Sequence, residues 1–173
     1  MRNKVLIVVS ATLIALIGMG ALFTQINKES HEQYLYYEQS TYIVSGTMTE
    51  EFVEDTLQAI NLIPSDFLSN FFNDGWQFVI CNSTKPYFGL FDSENKVIYI
   101  YYQQHDDRLT IADTVLHEFG HYFDYSNNWI SRSDEIMIIY NERSYVDKKR
   151  DDNYCYTNPQ ELYACMFRDR YIR

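Results

Sequence analysis

Glycine and proline are scarce in this chain of 173 residues, with six of the first and three of the second. That excludes a collagenous repeat and a linker-like polymer, both of which are built from those residues. Cysteine is also scarce: Cys81, Cys155 and Cys165 allow at most one pair, which is no disulfide framework. Positive charge is short as well. Fourteen basic residues face 24 acidic ones, for a net charge of −10. The broad cationic surface that a phosphate backbone requires is missing, and no nucleic-acid partner is expected. What is abundant argues against disorder, with 46% hydrophobic residues, 17% aromatic residues and 16 tyrosines. The length fits one domain with a core of its own.

Charge is absent altogether from Val5 to Phe23, an apolar run interrupted only by Ser10, Thr12, Gly18 and Gly20. Arg2 and Lys4 precede it. A basic start before such a run is the pattern of a secretory signal or an N-terminal membrane anchor. The run is about long enough to cross a bilayer, and Arg2 and Lys4 kept on the cytoplasmic side would leave the remainder outside. Residues 1–23 are therefore read as signal peptide or anchor, with the rest secreted or held on the outer face of the cell membrane. That remainder carries 12 basic and 24 acidic residues, net −12. An exported chain is also permitted a disulfide.

Residues 24–46 are polar and tyrosine-rich without a period, and read as a tether. From residue 47 to 173 the pattern is that of a folded domain. Thr47-x-x-Glu50 resembles a capping box, and Phe52, Val53, Thr56, Leu57 and Ile60 follow at helical spacing. Ser65 after Pro64 opens a short helix carrying Phe67, Leu68, Phe71 and Phe72, which Asn73-Asp74-Gly75 ends. Trp76–Cys81 and Lys96–Tyr102 read as strands, and Asp92–Asn95 as the turn before the second. Helical periodicity returns from Thr110 and again over Ser133–Val146. Asp147–Thr157 reads as a polar loop, and Pro159 suits the first turn of a last helix. These elements predict an α+β fold, mainly helical with a small β-sheet.

His117-Glu118-Phe119-Gly120-His121 is an HExxH motif on the helix that starts near Thr110. Histidines four apart share a helix face, so their imidazoles can converge on one metal ion. Glu118 lies beside that face, where it can take a proton from metal-bound water. Catalytic zinc uses three protein ligands and keeps a position open. A metzincin would carry Gly and then His where this chain has Asp124 and Asn127, so that class is excluded. Asp124 suits the support of a ligand imidazole better than direct ligation. Glu161, in the first turn of the last helix, is the better third ligand, although spacing alone leaves it one acid among several such as Asp151, Asp152 and Glu142.

HEFGH with Asp124 three residues on, a further helix, a polar loop with tyrosine and Asn158-Pro159-Gln160-Glu161-Leu162-Tyr163-Ala164 together resemble a known group. The similarity is to the catalytic domain of anthrax lethal factor and to the small secreted Pro-Pro endopeptidases. It covers roughly residues 47 to 173. It implies a zincin-like fold with His117, His121 and Glu161 as zinc ligands and Glu118 as general base. It also implies that Tyr154 lies near the metal, where a phenol can donate to the oxyanion of the reaction. In zinc endopeptidases of this kind an extended substrate lies along a sheet edge, which gives Lys96–Tyr102 a functional reading beside ordinary packing.

The resemblance fails at Cys165. Related enzymes commonly carry an acid four residues after the ligand Glu, supporting a ligand His. Cys155 and Cys165 could pair, but a buried thiol at Cys165 is the expectation. His31, His105 and Lys148-Lys149-Arg150 read as solvated.

The resulting expectation is an exported Zn2+-dependent endopeptidase, a monomer taking an extended peptide or protein substrate, with proline-containing sites suggested by the resemblance. The alternative is a catalytically weak or inactive zinc-binding surface domain acting as a binder or inhibitor.

Overall fold

The computed structural model describes residues 23–27, 32–37, 40–46, 48–82, 86–102, 110–147 and 153–172. The signal or anchor reading falls, except for Phe23, outside these residues, as do His31, His105 and Lys148-Lys149-Arg150. No helix among the described residues is long and apolar enough to cross a membrane. The fold is α+β. Its contacts divide the chain into two compact units, one of residues 1–54 and 65–104, the other of residues 55–64 and 105–173.

The first unit is built on a mixed six-stranded sheet. Its strands are β1 (Phe23–Asn27), β2 (Glu32–Tyr37), β3 (Ser40–Ser45), β4 (Gln77–Asn82), β5 (Gly89–Asp92) and β6 (Val97–Tyr102), in the order β1-β2-β3-β4-β6-β5. The sheet is larger than expected, because the segment read as a tether supplies three of its strands. β3 runs parallel to β4, pairing Tyr42 with Phe78 and Val44 with Ile80. Tyr42 and Val44 are two apart, share a face and are buried. Two inward positions are too short a period to stand out in a tyrosine-rich stretch, and only the neighbouring strand makes them a core.

The helix α1 (Glu50–Ile60) begins after Thr49, whose Oγ1 accepts from the Phe52 N–H at 3.2 Å; Thr47 of the expected capping box lies outside the described residues. After it, α2 (Ser65–Asn73) delivers Phe71, fully buried, to the ring of Phe78 at 4.8 Å between centroids. Gly75 then adopts a φ of +82°, which a residue with a Cβ resists. Trp76 follows and stacks on Phe91 of β5 at 5.2 Å. β6 matches the strand read from Lys96–Tyr102, and Tyr99 and Tyr101 stack on one face at 5.9 Å. It is not an edge. β6 is bonded to β4 on one side and to β5 on the other, so β5 holds the outer position. The sequence pattern did not reveal β5 because Gly89–Asp92 is only four residues long.

The second unit is helical. α3 (Ile111–Ser126) starts in a capping box: Thr110 Oγ1 accepts from the Asp113 N–H, and the Asp113 carboxylate accepts from the Thr110 N–H. Its buried apolar residues Val115, Leu116, Phe119 and Tyr122 recur at helical spacing. α4 (Asp134–Asp147) and α5 (Pro159–Tyr171) follow, and the loop read between them contains a 3-10 turn, Asn153–Tyr156. Phe119 and Phe123 of α3 meet Phe167 of α5 at 5.8 and 5.3 Å between ring centroids. At the crossing, an added Cβ on Gly120 would lie 2.9 Å from Ala164 Cα and 3.0 Å from its carbonyl oxygen. Glycine here serves close backbone approach, as small residues do wherever two helices cross tightly.

Candidate metal centre

The tight α3–α5 crossing carries the predicted residues to one point. His117 and His121, one turn apart on α3, present Nε2 atoms 3.0 and 3.4 Å from Glu161 Oε2 of α5. One donor atom from each of the three residues lies within 4.8 Å of the others. Ligand atoms bound tetrahedrally at metal distances near 2.1 Å sit about 3.4 Å apart, so the spacing suits a small divalent cation. The donor chemistry suits it too, since imidazole nitrogens and a carboxylate form an ordinary ligand set.

Local sequence fixes the Glu161 end. Asn158 caps α5, its Oδ1 accepting from the N–H groups of Gln160 and Glu161 at 2.9 and 3.0 Å. Pro159 occupies the first turn, where its missing N–H costs nothing. The cap therefore holds the backbone of the residue whose side chain faces the histidines.

The electrostatics are those of a preformed anion between two imidazoles. Burial raises the Glu161 pKa, but hydrogen bonds to His117 and His121 outweigh it and bring the carboxyl down to about 2. Burial lowers the pKa of His117 and outweighs its bond to Glu161. For His121 burial acts in the same direction, yet the bond to Glu161 and the charges of Glu118, Glu161 and Asp124 raise its pKa overall. Neutral imidazole is the form that binds a cation, and a cation would replace the proton that these carboxylates favour on His121.

Glu118 is buried beside His117 on α3. Its charge reaches both His121 and Tyr154. Tyr154, in the 3-10 turn, places its ring 5.5 Å from the His117 ring. Desolvation, followed by the charges of Glu161 and Glu118, raises its pKa far above the usual phenol range, so the hydroxyl keeps its proton. All five residues singled out in the sequence thus meet at one place.

Two residues differ from expectation. Asp124 is fully buried, but its two oxygens accept from the Ser131 N–H at 2.7 Å and the Ser131 hydroxyl at 2.6 Å. It fastens the chain just after α3, and its influence on His121 is electrostatic. Cys165 is not a buried thiol: it forms a disulfide with Cys155. A cysteine in the 3-10 turn and one a helical turn past Glu161 come together only when that turn folds back on α5. The Cys165 Sγ lies 3.6 Å from His117 Nδ1, on the opposite side of the ring from Glu161. Sequence reasoning missed the Gly120–Ala164 contact and the partner role of Ser131. The small residue inside HEFGH and the small residue three after Glu161 were the available signal for the first; nothing marked the second.

No family model and no curated protein matches the chain. Among solved structures, the Pro-Pro endopeptidase PPEP-2 from Paenibacillus alvei is similar in fold, with a TM-score of 0.54 and 19% sequence identity. The likeness covers 71% of this chain and 78% of that one, and what it establishes is the shared fold.

Proposed function

We propose that this chain is an exported zinc endopeptidase of zincin-like fold. The observation that carries the reading is the convergence of His117, His121 and Glu161, with Glu118 and Tyr154 beside them. Two histidines and one glutamate form the protein half of a catalytic zinc site, which leaves a coordination position for substrate chemistry. Zinc bound there supplies a Lewis acid that polarises water and the scissile carbonyl. Glu118 takes the proton from the water and delivers it to the leaving amine nitrogen. The Tyr154 hydroxyl donates a hydrogen bond to the carbonyl oxygen as negative charge builds there.

The substrate is a peptide or protein segment taken in extended form. Proline-containing sites are the class to test first, because the structurally similar PPEP-2 is a Pro-Pro endopeptidase. The Cys155–Cys165 disulfide supports export, since such bonds persist in oxidising compartments. The chain acts as a monomer without nucleic acid, and meets a membrane only through its N-terminal run.

Metal analysis with a cleavage assay tests the reading. Purified protein should hold one zinc per chain. Glu118→Gln should keep that zinc and lose cleavage by about 10²–10⁴-fold. A Glu118→Gln variant that cuts like the parent would refute the mechanism, and protein without zinc would refute the metal. Mass-spectrometric profiling of a peptide library reads the site preference, and equal cutting of proline-free peptides would remove the proline class.

One observation favours a second reading, a domain that holds zinc without cutting. The atom facing His117 Nδ1 is a disulfide sulfur, a weaker acceptor than the carboxylate that usually strengthens a ligand imidazole. Zinc-loaded protein that leaves the whole library intact would select it.

A further inference from the structure

The Cys155–Cys165 bond lies against the metal centre on two sides. Cys165 follows Glu161 by one helical turn on α5, and its sulfur meets the back of the His117 ring at 3.6 Å. Cys155 is the residue next to Tyr154. The Cα atoms of the pair are 5.8 Å apart, within the ordinary range for a disulfide. The bond therefore ties the turn that carries the phenol to the helix that carries the third ligand.

Tyr154 is 61% exposed, so packing gives it small support. Within the turn, Thr157 returns its N–H and hydroxyl to the Tyr154 carbonyl at 3.2 and 2.9 Å. From outside, the Tyr140 hydroxyl donates to the Thr157 carbonyl at 3.4 Å on the exposed surface. Exposed bonds of this kind open locally more readily than buried ones. A hydroxyl that must meet a developing oxyanion works only if held in place before the reaction.

We propose that the Cys155–Cys165 disulfide is a positioning device for the Tyr154 hydroxyl. This rests on the endopeptidase reading above. His117 and His121 come from α3, and Glu161 is held by the Asn158 cap; neither depends on the bond. Breaking it frees the phenol and leaves the three ligands. A phosphine reductant does this chemically: the S–S bond breaks, phosphorus is oxidised to the phosphine oxide with oxygen from water, and each sulfur takes one hydrogen. Thiol reductants are avoided because they compete for zinc.

The test is a double-mutant cycle on the zinc-loaded full chain, with Tyr154→Phe and Cys155→Ala/Cys165→Ala singly and combined. Removing the disulfide should lower kcat about 10-fold or more, with KM changed less than about twofold. Zinc content should stay at one per chain. In the Tyr154→Phe background the same cysteine change should cost almost nothing more, because the group it positions is gone. Equal losses in both backgrounds would assign the bond a general structural role and overturn the proposal. Loss of zinc on removing the bond would overturn it as well.

A second measurement needs no variant and no activity. Phosphine treatment of the parent protein should speed hydrogen exchange at residues 153–157 at least about 10-fold while α3 stays protected. Unchanged exchange there would defeat the positioning role whether or not the protein is a peptidase. If the parent cuts nothing, the endopeptidase reading fails separately, and the exchange result still stands.

Discussion

α3 and the 3-10 turn at Asn153–Tyr156 bring residues to the same centre by opposite means. α3 is a long helix with a capping box at its start, a buried apolar face and Asp124 locked to Ser131 at its end. Its histidines are placed by the helix repeat itself. The turn is four residues long, largely exposed at Tyr154, and joined to α5 by a covalent bond. A ligand-bearing element can rely on burial, because metal ligation needs only convergence. A group that must meet substrate has to stay accessible, and an accessible short segment needs a restraint other than packing.

Breaking the ligand-bearing crossing of α3 and α5 should have the larger effects. Glu161→Ala leaves two imidazoles and no third ligand, so zinc content should fall far below one per chain and cleavage should disappear. Full zinc occupancy in that variant would move the third ligand to another acid such as Asp124. Gly120→Ala comes next. Its new methyl would lie 2.9 Å from Ala164 Cα and 3.1 Å from Phe167 Cβ, so α5 must move. We expect a stability loss of about 1–3 kcal/mol in denaturant titration, with weaker zinc binding because Glu161 moves with the helix. Unchanged zinc affinity at reduced stability would separate the crossing from the metal centre.

Asp124→Asn should have the smallest effect. One of its two accepting oxygens becomes a donor facing Ser131, which costs about 1–2 kcal/mol. Thermal unfolding should report a drop of a few degrees with zinc content unchanged. Lost zinc there would show that Asp124 serves His121 rather than the chain after α3.

How much was legible depended on the distance over which each feature is encoded. HEFGH lies within five residues on one helix, and its meaning follows from a repeat of 3.6 residues per turn. α1, α2, β4 and β6 were visible for the same reason, each carrying its own period or its own dense apolar run. β3 was hidden because its inward pair, Tyr42 and Val44, is defined by β4 rather than by a local pattern. The edge role assigned to Lys96–Tyr102 failed on a similar ground. Whether a strand is central or outer depends on its neighbours, and β5, the neighbour that covers it, is too short to announce itself.

The sequence by itself determined the HExxH motif with Glu118 as its candidate base, the proline-marked start of the last helix and the acidic, export-compatible character of the chain. These are properties of composition or of residues within one turn of each other. Only the tertiary structure decided that Glu161 among several acids faces the histidines. It also decided that Gly120 lets α5 approach closely enough for this, and that Cys165 is spent in a disulfide holding the Tyr154 turn. Each of these joins residues far apart in the chain, and their distance in space is set by helix crossing and chain reversal rather than by any local periodicity.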